Sequence, residues 1–450
     1  MAQTVYSLLT PANNSGVLGL ARVTLDGNLL TTEVAASGLT PEQMHIFHLH
    51  GFLDDRPERL ALATDDADGD GIVETREGEG SAYGPVIAGL TESGRAGYFL
   101  ETWPTDFPKA DAAGTINFRQ TYELDPDDAG QAAIQERLDA RLEGRVLEFH
   151  GLELPRGYGT GTPGEVFGPG GYNPQVPVAQ GQLLDLPGLD KAFGGDGASF
   201  LDKASAVLAQ LAPYTLSPEA EGREALAPER PEVATSDADR FVALMAPSNG
   251  SGALGLAGVQ IDREAATISV ELWMTGLTPE QVHAAHIHGF ADDSPSLLPN
   301  YRLDADRDGF VEDSEGAAVV GPVIQALTAN GSVSNAKTGV DFPQADADGT
   351  LRLSETYRFD TSDPAQAAIF AELEDRLAGR EVQVHGLALP ATEGEGTPGE
   401  VNGTAGYKET LPVANGILLP IGDDPTSADL LALGDALSAA LRSEVDAVIA

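Results

Sequence analysis

The chain says nearly everything twice. GVLGLARV (Gly16 to Val23) returns as GALGLAGV (Gly252 to Val259), and SGLTPEQMH ending at His45 returns as TGLTPEQVH ending at His283. GPVIAGLT from Gly84 comes back from Gly321, QAAIQERLDARLEGR ending at Arg145 as QAAIFAELEDRLAGR ending at Arg380, and GTPGEV from Gly161 again from Gly396. The offset stays between 235 and 238 residues along a chain of 450. A period this long is a duplicated whole domain, because the units of a solenoid run only ~20–50 residues. The expected organisation is a first module over residues 1–212, a linker over 213–239 and a second module over 240–450. The linker carries SPEAEGREALAPERPEVATSDAD (Ser217 to Asp239), rich in Pro and charge and without aromatic residues, a composition that cannot bury a core.

Within each copy the pattern is that of short strands. TVYSLL, ARVTL, GTINFRQTYEL and RVLEFHGL alternate in polarity, are rich in β-branched and aromatic residues, and are bounded by Gly, Pro, Asn or Asp. The 52 Gly and 29 Pro supply the turns that such a fold needs. An all-β sandwich or barrel with short accessory helices is expected in each module. One helix per copy is predicted before the last histidine, at Pro126 to Leu142 and Ser362 to Leu377, where Ala, Gln, Glu, Leu and Arg dominate. An amphipathic helix closes each copy, SFLDKASAVLAQLA from Ser199 and DLLALGDALSAALRSEVDAVIA from Asp429, each expected to pack on its own domain.

Charge and cysteine content narrow the function. With 26 Lys+Arg against 70 Asp+Glu the formal net charge is −44, which repels phosphate backbones and anionic lipids, so neither nucleic acid nor membrane insertion is expected. The absence of Cys rules out disulfides, thiolate metal sites and thiol nucleophiles. No run of ~20 apolar residues is present. MAQTVYSLLTPANN lacks the basic region and apolar stretch of a secretory signal. Export, if it occurs, is expected after removal of a signal or by a signal-independent route, and the final DAVIA resembles the tail of proteins exported by calcium-linked type I secretion.

Two acidic loops stand at equivalent positions. DADGDGIVETRE from Asp66 and DADRDGFVEDSE from Asp304 place Asp at positions 1, 3 and 5, Gly at 6, and Glu at 9 and 12. This is the spacing with which a twelve-residue loop wraps oxygen ligands around calcium. The expected ligands are Asp66, Asp68, Asp70, the Ile72 carbonyl, Glu74 and Glu77, and then Asp304, Asp306, Asp308, the Phe310 carbonyl, Glu312 and Glu315. Without a cation, the clustered carboxylates of each loop would repel one another. The Gly-Pro that soon follows each loop argues against a long exit helix, so the expected role of calcium is to stiffen the loop.

All eight histidines lie in the repeats. In HIFHLHG and HAAHIHG the pairs His48/His50 and His286/His288 are two apart, so on a strand both rings leave one face. His150 and His385, in EFHGL and QVHGL, come from a later strand. Three imidazoles converging from two strands suit Cu or Zn; the competing reading is that they hydrogen-bond backbone or carboxylate groups and tie strands together. His45 and His283 have the opposite strand parity and join the site only if a bulge or turn intervenes.

The strands HLHGF from His48 and AHIHGF from Ala285, each followed by FHGLELP…GTPGEVFG (Phe149 to Gly168) or VHGLALP…GTPGEVNG (Val384 to Gly403), resemble the CHRD (chordin) domain. The resemblance implies a β-sandwich similar to copper/zinc superoxide dismutase, and marks His48, His50, His150 and His286, His288, His385 as the metal ligands. His45, His283 and the acidic loops are additions to that pattern, and no histidine occupies the place of the dismutase bridging ligand, which speaks against dismutase activity. No GxSxG elbow, HExxH zinc motif or Gly-rich phosphate loop with a following Lys is present. The expectation is a non-enzymatic, extracellular or cell-surface protein that binds calcium, holds Cu or Zn at its histidines, and associates with other copies or surface components; the alternative is a copper-dependent redox enzyme.

Overall fold

A computed structural model describes residues 2–54, 56–97, 106–162, 164–194, 199–216, 238–292 and 294–449. The chain divides into two units, 1–212 with 217–219 and 213–216 with 220–450. The greater part of the expected linker, 217–237, lies outside the described residues.

The first unit has eight strands: β1 Gln3–Pro11, β2 Leu18–Asp26, β3 Leu29–Ser37, β4 Phe47–His50, β5 Val86–Gly89, β6 Ile116–Glu123, β7 Val146–Leu154 and β8 Gly171–Gln182. They form one curled sheet in the order β5-β4-β7-β8-β1-β2-β3-β6, with antiparallel pairing throughout. The second unit repeats this order with β9 Arg240–Pro247, β10 Leu254–Asp262, β11 Thr267–Thr275, β12 Ala285–His288, β13 Val323–Ala326, β14 Leu351–Arg358, β15 Glu381–Leu389 and β16 Gly406–Ile417, while β17 Leu419–Pro420 pairs with β9. β1 makes the curl possible: Gln3 to Leu9 pair with β2, whereas Thr10 and Pro11 pair with β8. Alternate residues of the two halves then face each other across a core. Phe47 of β4 stacks on Phe149 at 4.1 Å and meets Phe118 of β6, in the opposite half, edge-on at 6.1 Å. In the second unit Val259, Val270, Ile287, Val382 and Val384 belong to one buried cluster.

Helices are few and short in most places. α2 Ala129–Ala140 and α6 Pro364–Asp375 fall inside the predicted segments, and each is started by an aspartate, Asp128 or Asp363, whose carboxylate accepts the first free N–H groups. α3 Pro187–Gly194 precedes α4 Phe200–Leu211, which buries Phe200, Ala204, Val207, Leu208 and Leu211. α7 is Pro425–Ile449. The loops expected to lack a long exit helix do have a short one: α1 Thr75–Ser81 and α5 Asp313–Val320, two turns at most, ending just before Gly84 and at Gly321. Among the described residues, no helix is long and apolar enough to cross a membrane.

Candidate metal centres

β4 lies between β5 and β7, so its two histidines stand in the middle of one half of the sheet. His48 is paired directly with Glu148 and His50 with Val146, and residues that oppose each other across a ladder share a face. His150, two residues beyond Glu148, shares that face too, although the β7–β8 ladder shifts register there. His48, His50, Glu148 and His150 therefore converge, each offering one atom, with all these atoms within 4.8 Å of one another. Ligands each about 2.1 Å from a common ion can lie up to about 4.2 Å apart, so little contraction is needed to close on one. His286, His288 and His385 form the matching group in the second unit.

The hydrogen bonds orient these rings for a metal. His50 Nδ1 donates to the Gly84 carbonyl at 2.9 Å and His150 Nδ1 to the Gln175 carbonyl at 2.7 Å, which turns both Nε2 atoms inward. In the second unit His288 Nδ1 donates to Gly321 at 2.9 Å, His385 Nδ1 to Thr410 at 2.8 Å, and His286 Nε2 to Lys337 at 3.2 Å. The inward atoms, Nδ1 of His48 and His286 and Nε2 of His50, His150, His288 and His385, are buried and take no hydrogen bond. A buried polar atom left unsatisfied costs about 1–3 kcal/mol, and each of these groups could hold a metal ion. Burial holds His286 down to about pKa 2 and His288 to about 4, so these rings are neutral and ready to bind. At His150 burial pulls downward, but the Glu148 carboxylate more than offsets it and the pKa is raised.

Glu148 was not among the predicted ligands. It is fully buried, with Oε2 3.0 Å from Nε2 of both His50 and His150. Its signal was present in EFH, since a residue two before a histidine shares that histidine's face. His45 and His283, by contrast, stand outside the clusters. The ring nitrogens of His45 face the carbonyl oxygens of His150 at 2.8 Å and Thr40 at 3.1 Å, and those of His283 face His385 at 2.8 Å and Thr278 at 3.0 Å. They fasten the segment before the HxH strand to the strand that brings the third ligand.

Each acidic loop curls as its spacing predicts. Asp66 accepts the N–H groups of Gly69 and Gly71, both at 2.8 Å, and Asp304 those of Arg307 at 2.6 Å and Gly309 at 2.9 Å. Gly71 and Gly309 both have φ +87°, the sharp turn at position 6. Asp66, Asp68 and Asp70 gather in the first loop, and Asp304, Asp306 and Glu315 in the second. Asp68 Oδ1 and Asp306 Oδ1 are buried without a hydrogen bond. The position-9 residues do something else. Glu74 Oε1 accepts the N–H of Val166 and Glu312 Oε1 that of Val401, both at 2.7 Å, so each ties the loop to GTPGEV. A Cβ at Gly164 or Gly399 would sit 2.3 Å from that carboxylate, which accounts for the glycine of the repeated motif.

The loop and the histidine centre share supports. Thr75, the first residue of α1, donates from Oγ1 to the same Gln175 carbonyl that orients His150, and the Tyr83 ring lies tilted beside His50 at 4.5 Å. Asn13, from the β1–β2 turn, bonds both N–H and carbonyl of Val73, as Asn249 does for Val311.

One position differs between the loops. Arg307 holds φ +66° where the first copy has Gly69 at +74°. A left-handed backbone costs a residue with a Cβ about 1–2 kcal/mol. Arg307→Gly is expected to stabilise the protein by about 1 kcal/mol in urea titration, whereas Arg307→Ala, which removes the charge and keeps the Cβ, gives no such gain.

Comparison with known proteins adds no relative: the chain matches no family profile, and no curated protein is detectably similar to it.

Proposed function

We propose that this is a tandem metalloprotein of the CHRD kind, acting outside the cell or at its surface, with calcium stiffening the acidic loop of each unit and copper or zinc held by each histidine cluster. The observation that carries it is the set of six buried imidazole nitrogens, three per unit, that turn toward one another, with only the Glu148 carboxylate beside two of them, while backbone carbonyls hold the opposite ring atoms of His50, His150, His286, His288 and His385. The superoxide-dismutase-like sandwich belongs to this proposal, supported by the HxH-plus-distant-His arrangement on a two-layer antiparallel sheet.

A binding or assembly role is favoured over turnover. His286, His288 and His385 are only 1–2% exposed, so a substrate cannot reach that centre without displacing the chain. Such closure suits a structural or storage metal. The duplication and the charge of −44 suit a protein that meets calcium, further copies of itself or cationic surface components.

Metal analysis of protein purified without chelators tests the proposal. The expected result is one transition-metal ion per unit together with calcium, and loss of the transition metal from one unit in His50→Ala and from the other in His288→Ala. Purified protein that lacks copper and zinc and takes up neither on titration would sink the histidine half. Copper accompanied by superoxide or other redox turnover would favour the enzyme reading instead.

A further inference from the structure

We propose that the two histidine centres hold different metals: the first a divalent ion and the second copper(I). The inference rests on the reading of both clusters as transition-metal centres and concerns what each selects.

The backbones that build the two centres are alike, and among the side chains that converge on each the difference is Glu148. Glu148 opposes His48 across β4 and β7, and at the same register in the second unit Gln383 opposes His286. In the first centre the carboxylate stands 3.0 Å from two of the three ligand rings. Three neutral nitrogens and one anionic oxygen form a four-coordinate set for a divalent ion such as zinc, and they reduce its charge from +2 to +1. In the second centre the corresponding group is a neutral amide, 2.8 Å from Asn415. Among the described histidines, aspartates and glutamates, three imidazoles alone make up the second group.

Among the described residues of the second unit, no carboxylate places an oxygen in the cluster. Asp313, on α5 near the rings, is ion-paired with Lys337 at 2.7 Å, so the pair brings no net negative charge. Glu381 opposes His288 across β12 and β15, and Glu400 lies near enough to His385 to act on its charge, but neither brings an oxygen into the cluster, and Glu400 is engaged by Thr410. A divalent ion would therefore meet no anionic ligand in a pocket whose histidines are 1–2% exposed. The solvation penalty of a buried ion grows with the square of its charge, so a monovalent ion meets about a quarter of it. Copper(I) is the monovalent ion that imidazole nitrogen binds well, and it accepts three ligands. The rings agree with a looser, three-coordinate centre: His286 is 5.4 Å from His288 and 5.1 Å from His385, against 4.7 and 4.5 Å for His48 to His50 and His150.

Two isosteric substitutions test this on the full chain, with far- and near-ultraviolet circular dichroism confirming the fold. Metal-free protein is loaded under argon with equal amounts of zinc(II) and copper(I), and the bound metals are counted by native mass spectrometry. The wild type is expected to carry one of each. Glu148→Gln is expected to weaken the zinc site at least tenfold, and Gln383→Glu to yield two zinc ions per chain. Two identical metals in the wild type, with zinc affinity moved less than twofold by either substitution, would overturn the inference while leaving both centres as metal sites. Uptake of neither metal would overturn it together with the reading on which it rests.

Discussion

Removal of calcium is expected to lower the melting temperature by about 10 °C, and by more at pH 8 than at pH 5. A ligand present at a thousand times its dissociation constant stabilises the folded state by about 4 kcal/mol per site, and in domains of this size 1 kcal/mol is worth about 2–4 °C. The pH dependence follows from the loops. Burial, with the charges of neighbouring carboxylates, raises Asp70 to about pKa 7, Asp308 to about 8 and Glu315 to about 7. In the unfolded chain these groups titrate near 4, so between about pH 4 and 8 the calcium-free folded state binds more protons than the unfolded one. Its stability therefore falls as pH rises through that window. Bound calcium favours the deprotonated carboxylates, so the gap between calcium-loaded and calcium-free melting temperatures widens over the same range. Scanning calorimetry at pH 5, 6, 7 and 8, with and without calcium, checks this. A gap that is absent, or that narrows with pH, would show that these loops hold no calcium.

Glu58→Ala is expected to destabilise the first unit by about 3–5 kcal/mol. Glu58 has a fully buried carboxylate that accepts from Arg145 at 2.7 Å and also from Arg141. Arg145 is itself only 5% exposed, and burial drags its guanidinium below its usual pKa despite the attraction of Glu58. Removal of the carboxylate would leave that charge buried and uncompensated, which is the costly way to break such a pair. In the second unit Arg380 donates to the Phe290 carbonyl at 2.7 Å, and the place of Glu58 falls to Ser296, which donates to Val320 at 2.8 Å. Ser296→Ala should therefore cost only about 1 kcal/mol. Urea titration gives both values, and hydrogen exchange should show the Glu58→Ala loss in first-unit peptides. A loss below 1 kcal/mol would mean that water reaches Arg145.

Glu58 also marks a limit of reading by pattern. The repeat preserves the arginine, Arg145 and Arg380, but not its partner, and the ion pair joins residues 87 positions apart. Nothing in RPERL or RLEGR announces the pairing.

Much else was legible because it depends on local geometry. The duplication is visible by alignment of the chain on itself. The strands β1, β2, β6 and β7, and the helices α2, α4 and α6, follow from side-chain period and capping residues, which act within a few positions. The curl of each acidic loop follows from its own spacing. Strand parity put His48 with His50 on one face and His286 with His288 on another, because side chains alternate along any strand.

What parity cannot say is which strand lies opposite, or in what register. The pairing of β4 with β7, and of β12 with β15, decided that Glu148 joins the first histidine group and that Gln383 stands at the same register of the second. The packing of the segment before each HxH strand decided that His45 and His283 spend their nitrogens on backbone carbonyls rather than on a metal. The fold likewise laid GTPGEV over the acidic loop and turned Glu74 and Glu312 toward it. The sequence by itself thus determined the two modules, the loops and the histidine face of each HxH strand, all products of short-range periodicity. Only the tertiary structure decided which charge stands beside each histidine group, because that depends on which side chain a distant strand delivers to the same few ångströms.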